Sequence, residues 1–101
     1  MRLRWTLRAR RDLDEIGTYI SRDSPAAARR WIERLRDRAR KAAQAPGAGR
    51  AVPEIEREEI REVLLGSYRI LYRLRRDGIE VLTVFEGHRL LRREHIPDLD
   101  D

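Results

Sequence analysis

The stretch that decides the fold is Gly49–Arg89, GRAVPEIEREEIREVLLGSYRILYRLRRDGIEVLTVFEGHR. It holds three runs rich in β-branched, aromatic and aliphatic residues: Ile60–Leu65, Tyr68–Arg75 and Ile79–Phe85. Gly66-Ser67 separates the first pair, and Asp77-Gly78 is a strong two-residue hairpin signal between the second pair. Gly87 ends the last run. The pattern predicts a three-stranded antiparallel meander. In the central strand, alternation sets Tyr68, Ile70, Tyr72 and Leu74 on one face and Arg69, Leu71, Arg73 and Arg75 on the other. In the first strand neither Ile60, Glu62, Leu64 nor Arg61, Val63, Leu65 is purely apolar, so its facing stays open.

Working outward, Arg2–Thr6 alternates, with Leu3 and Trp5 on one side, as a short half-buried strand does. Thr6 suits an N-cap, and Leu13, Ile16 and Ile20 recur at helical spacing through Leu7–Ser21. Ser24-Pro25 is a helix start, with serine as cap and proline at the first helical position. A second helix follows to about Ala45, with Ala28, Trp31, Ile32, Leu35, Ala39 and Ala42 as its apolar stripe. The short break between the helices implies an antiparallel helical hairpin. Pro46-Gly47-Ala48-Gly49 stops the second helix, and Arg50–Glu59 reads as a loop lying over the domain. The fold class is therefore α+β: a short N-terminal strand, an antiparallel helical hairpin and the three-stranded antiparallel meander, in one domain spanning residues 1–101. With the hairpin on one face, the other sheet face is expected to lack cover.

Composition narrows the function. The 101 residues carry a formal net charge of +5, and 41% of them are charged. Of the 23 basic residues only Lys41 is a lysine. A pI near 10.6 favours an anionic partner, nucleic acid or acidic protein, although charge of this size also serves solubility alone. There is no cysteine, hence no disulfide framework or thiolate site. No metal or cofactor motif stands out. The opening MRLRWTLRAR has no apolar leader core, and no apolar run reaches membrane-spanning length. A cytoplasmic protein without membrane contact is the expectation.

Arginine within a strand is costly unless it meets water or a counter-charge. Arg61, Arg69, Arg73 and Arg89 are the candidate residues for holding nucleic acid or another target. The competing reading pairs Arg69 and Arg73 with Glu62, Glu80 or Glu86 across strands, and spacing alone favours it.

The chain resembles the RelE/ParE superfamily of toxins from type II toxin–antitoxin pairs. The matching segments are Asp12-Leu13 with Ile16 and Tyr19-Ile20, Ser24-Pro25-Ala26, Gly49-Arg50, Val52-Pro53-Glu54 and Ile60-Arg61-Glu62. They close with Tyr68-Arg69-Ile70-Leu71-Tyr72-Arg73 and Gly87-His88-Arg89. The resemblance covers nearly the whole chain in order and length, and its style is more ParE-like. It implies a growth-arresting toxin neutralised by a cognate antitoxin. A ParE-like member would inhibit DNA gyrase by contact, without a catalytic site. A RelE-like member would cut mRNA on the ribosome, with Arg69 and Arg89 stabilising phosphorane charge and His95 as acid or base. The lysines of the RelE site have no counterpart here, which favours the ParE-like reading, and ordinary solvated histidines are the favoured reading of His88 and His95. A third alternative is a non-toxic basic module that only pairs with its antitoxin. The antitoxin would bring an acidic or amphipathic segment to the basic helices, at Arg8, Arg11, Arg29, Arg36 and Arg40. Those arginines as merely solvated helix faces are compatible with this. Oligomeric state is left open.

Overall fold

The computed structural model describes residues 2–87, 91 and 96. Strand β1 (Arg2–Trp5) leads into helices α1 (Leu7–Ser21) and α2 (Pro25–Gln44). Strands β2 (Arg50–Ala51), β3 (Ile60–Leu65), β4 (Tyr68–Arg75) and β5 (Gly78–Glu86) follow. The five strands form one sheet in the order β1-β5-β4-β3-β2. The meander β3-β4-β5 is antiparallel, as its turns require, and β1 joins β5 in parallel, making the sheet mixed. At that junction Gly78 faces Arg2, and a β-carbon on Gly78 would collide with the Arg2 backbone.

Both helix starts follow their caps. The Thr6 hydroxyl accepts from the Ala9 N–H at 3.1 Å, and the Ser24 hydroxyl accepts from Ala27 N–H at 3.1 Å. The hairpin packs on one sheet face through Ala9 and Leu13 of α1 and Leu35, Ala39, Ala42 and Ala43 of α2. They meet Val63, Ile70, Tyr72, Ile79, Val81 and Val84. The alanines keep α2 close to the sheet, and the alternation read in the central strand holds.

In β5 the register slips: Leu71 pairs with Thr83 and Tyr72 with Val81, leaving Leu82 as a bulge. The bulge shifts the phase of the strand. Ile79 and Val81 before it, and Val84 after it, face the helices, while Leu82 belongs to the opposite side.

That opposite face is covered, contrary to the expectation from element order. Val52 and Ile55, in the segment before β3, pack with Ile60, Leu71 and Leu82, and Leu91 and Ile96 complete this second cluster. The segment Arg50–Glu59, expected to be a loop over the domain, does lie there, except that Arg50–Ala51 pairs with β3 as strand β2. Its apolar residues, spaced three apart, were too few to show as a layer in the sequence.

Candidate functional site

The register fixes where each strand arginine goes. Glu62 stands opposite Leu71, and Arg61 opposite Tyr72. Ile60 and Glu62 therefore share the second face with Arg69, Leu71 and Arg73, whereas Arg61 is on the other side. Arg61 does not join the arginines of β4. It donates to the Glu58 carbonyl at 2.9 Å and the Gly49 carbonyl at 3.2 Å, tying the β2–β3 connection together.

Arg69 and Arg73 are buried, at 8% and 3% exposure, not displayed on an open face. Arg69 donates from Nε to Glu62 Oε1 at 2.7 Å. Its two Nη atoms grip both oxygens of Glu54 at 2.7 and 2.8 Å. The guanidinium also lies over the Phe85 ring, 5.1 Å from its centre. Glu62 Oε2 accepts from Arg50 Nε at 2.6 Å. The result is a chain, Arg50–Glu62–Arg69–Glu54, of two cations and two anions. Its centre is dry: the Glu62 side chain is 0% exposed and that of Arg69 10%. Such a chain stands only because every charge has a partner. Glu59 is held below the ordinary carboxyl range by its own backbone N–H, then by Arg57, with the nearby Arg73 charge adding to the effect. Arg75 pairs instead with Glu80, at 2.7 Å.

The electrostatics follow from this geometry. Bonding to Arg69 holds the Glu54 carboxyl below its usual value, against the opposing effect of burial. Glu54 foremost, then Glu62, push the Arg69 guanidinium further above its usual value. Three of the five guanidinium donors are committed to carboxylates. For Arg69 to grip a phosphate, Glu54 would have to let go.

Of the cross-strand partners weighed for Arg69, Glu62 is the one found. Glu54 and Arg50 were not anticipated as members of the chain, because neither is in a paired position opposite Arg69. The usable signal was the demand itself: an arginine in a central strand needs a carboxylate. Arg89 and His95 lie outside the described residues, as does His88. Among the described residues no cluster of histidine, cysteine or carboxylates is arranged to hold a metal ion. No helix among them is long and apolar enough to cross a membrane.

On the helical side, Arg29, Arg36 and Arg40 line a groove of about 820 Å³ between α1 and α2. Its floor is Leu13, Gly17, Ala28 and Ile32, and Asp14 and Glu33 lie among the arginines. Arg8 is apart from this groove and half-buried, bonded to Asp12 at 3.1 Å. Arg11 is exposed and outside the lining.

Comparison with known proteins adds a consistent set of similarities. Residues 3–91 match the family described as ParE toxin of type II toxin-antitoxin system, parDE. The curated protein named "Putative toxin Y4kP", from Sinorhizobium fredii (strain NBRC 101917 / NGR234), is 44% identical over 89 residues. That alignment covers 86% of this chain and 88% of the relative. A solved structure titled "Chromosomal ParDE TA system from P. aeruginosa" superposes with a TM-score of 0.69 at 24% identity. It covers 85% of this chain and 95% of that one, and shows a shared fold.

Proposed function

The chain belongs to the ParE toxin family of type II toxin–antitoxin systems, and from that premise we propose that it arrests growth by binding DNA gyrase rather than by cutting RNA. The observation that carries this reading is the state of Arg69. In a ribonuclease of the RelE kind, a strand arginine must present its donors to a phosphorane. Here the Glu54 and Glu62 carboxylates occupy three of the five, and burial fixes the arrangement. Arg69 acts as a clasp between the sheet and the segment that covers it. Arg61, which would extend a phosphate-binding row, is turned to the other face and bonded to backbone carbonyls.

A cognate antitoxin is the partner the family implies. The α1–α2 groove suits an amphipathic segment of it: apolar side chains on Leu13 and Ile32, acidic ones towards Arg29 and Arg36. Arg8 and Arg11 then matter less than the other three, since Arg8 already has Asp12. Cytoplasmic gyrase as target requires the protein to act in the cytoplasm.

The test is a supercoiling assay with purified gyrase and relaxed plasmid. The toxin should block supercoiling, and the protein encoded beside it should relieve the block. Undisturbed supercoiling at toxin concentrations that arrest growth would rule gyrase out.

A further inference from the structure

Helix α1 separates two grooves of different character. Asp14 and Thr18 line both. The groove towards α2 is rimmed by arginine. The groove on the other flank, about 660 Å³, lies between α1 and the last residues of β5. Strand β1 accompanies β5 only as far as Val81, so among the described residues no strand lies along the outer edge of this end of β5. Its lining includes Ile16, Tyr19 and Tyr68, with the carboxylates of Asp14 and Glu15 at the α1 side.

Three features give this groove a ligand chemistry. Tyr19 is 68% exposed, one of the large apolar side chains this protein leaves in water. Tyr68 is set edge-on by Trp31, with ring centres 5.5 Å apart, so its ring is held in place. And the chain already sets a guanidinium, that of Arg22, 5.9 Å from the centre of the Tyr19 ring. Aromatic faces beside carboxylates attract cations, and a long aliphatic stem can lie on Ile16 while its charged head stays at the rim. Among the charged side chains that line it, Asp12, Asp14, Glu15 and Glu86 outnumber Arg22, so in a chain of net charge +5 the lining charge here favours a cation.

We propose that this groove receives an arginine or lysine side chain of the antitoxin. The partner segment would then be of mixed polarity: acidic where it follows α2, basic where it crosses α1 to β5. The proposal rests on the antitoxin reading and sharpens it, since the overall charge of the toxin would suggest a uniformly acidic partner.

Two short peptides serve as probes on the full-length isotope-labelled protein, Ac-Leu-Arg-Leu-Arg-NH2 and Ac-Leu-Glu-Leu-Glu-NH2. The arginine peptide should shift the amides of Ile16, Tyr19 and Tyr68, and the glutamate peptide those of Arg29, Arg36 and Arg40. The double variant Tyr19→Ala/Glu15→Gln changes only exposed side chains and should keep the fold, checked by circular dichroism. It should weaken the arginine peptide about three- to five-fold or more and leave the glutamate peptide unaffected. An arginine peptide that leaves those three amides unmoved, or binds the variant equally well, overturns the proposal. If the co-encoded antitoxin binds wild type and variant with equal affinity, the cation site is wrong and the antitoxin reading stands. If that antitoxin forms no complex at all, both fall.

Discussion

At the scale of the residue, the account turns on Glu62 and Arg69. A fully buried carboxylate between two guanidinium groups leaves uncompensated charge when it is removed. Glu62→Ala should cost about 3–5 kcal/mol, read as a lower urea midpoint at unchanged slope. Replacing the three inner members by apolar or neutral groups of similar size, Glu54→Gln/Glu62→Met/Arg69→Met, should recover most of that loss, because the one charge left, Arg50, has a side chain 59% exposed and is solvated. A triple variant less stable than Glu62→Ala would show that the chain of charges contributes net stability instead. Glu54 gives a pH signature. Its folded-state pKa lies below the ordinary value of 4.5. The unfolded chain therefore binds the extra proton first as pH falls. The stability Glu54 contributes is full above about pH 4.5 and is lost as pH drops through the folded value. Thermal unfolding followed from pH 6 to pH 3 should fall less steeply in Glu54→Gln than in the wild type. Gly49, like Gly78, is a residue whose identity the packing dictates. A β-carbon there would run into the Tyr72 hydroxyl, which donates to the Pro46 carbonyl at 2.7 Å. Gly49→Ala should destabilise by about 1–3 kcal/mol, as overpacking does, and unfolding curves would measure it.

At the scale of the element, the seam between α1 and β5 explains why strand β1 can be so short. Beyond Val81 the outer edge of β5 has no strand neighbour among the described residues, and α1 with its cap supplies bonds there. The Thr6 hydroxyl donates to the Leu82 carbonyl at 2.9 Å. The buried Asp12 carboxylate accepts from the Val84 N–H at 3.0 Å and from the Thr83 hydroxyl. Asp12→Ala strands a buried donor and should cost about 1–3 kcal/mol. The sharper readout is hydrogen exchange at Val84, which should quicken more than exchange at Ile70 in the neighbouring strand. Much of this level was legible from sequence. Thr6 and Ser24-Pro25 set the helix starts, and the Tyr68–Leu74 alternation set the core face of β4, whereas the hairpin signal at Asp77-Gly78 was off by one residue: the turn is Arg76-Asp77, and Gly78 already pairs with Arg75 at the start of β5. The bulge at Leu82 was hidden, because a one-residue phase change within ILE-type runs leaves both faces apolar. The cover on the second face was hidden for a related reason: Val52 and Ile55 sit in a polar, acidic stretch with no period of strand or helix. Burial of Arg69 followed from that cover, and with it the difference between an arginine offered to phosphate and one used as a clasp. Glu62 could be named as a partner from pairing rules, whereas Glu54 reaches Arg69 only through the fold of the covering segment.

At the scale of the whole molecule, charge is divided by surface. Helix α2 carries Arg29, Arg30, Arg34, Arg36, Arg38, Arg40 and Lys41 against Glu33 and Asp37, while the covering segment carries Glu54, Glu56, Glu58 and Glu59 against Arg57. The ion pairs along α2 from Arg40 and Lys41 to Glu33 and Asp37 are 3.6–3.9 Å long and exposed, so they hold little of that charge back from a partner. The basic charge of α2 is thus open to a partner, which on the function proposed above is the antitoxin, whereas Arg69 of the sheet is turned inward to bind the covering segment. On the function proposed above, the toxin recognises its target by surface and breaks no bond in it. The direct test is primer extension on ribosome-bound mRNA, run at the toxin concentration that halts gyrase supercoiling. Full-length transcripts with no new stops at the A-site codon are the predicted result. Discrete A-site cleavage, appearing with the wild type and absent in Arg69→Lys of equal stability, would contradict it.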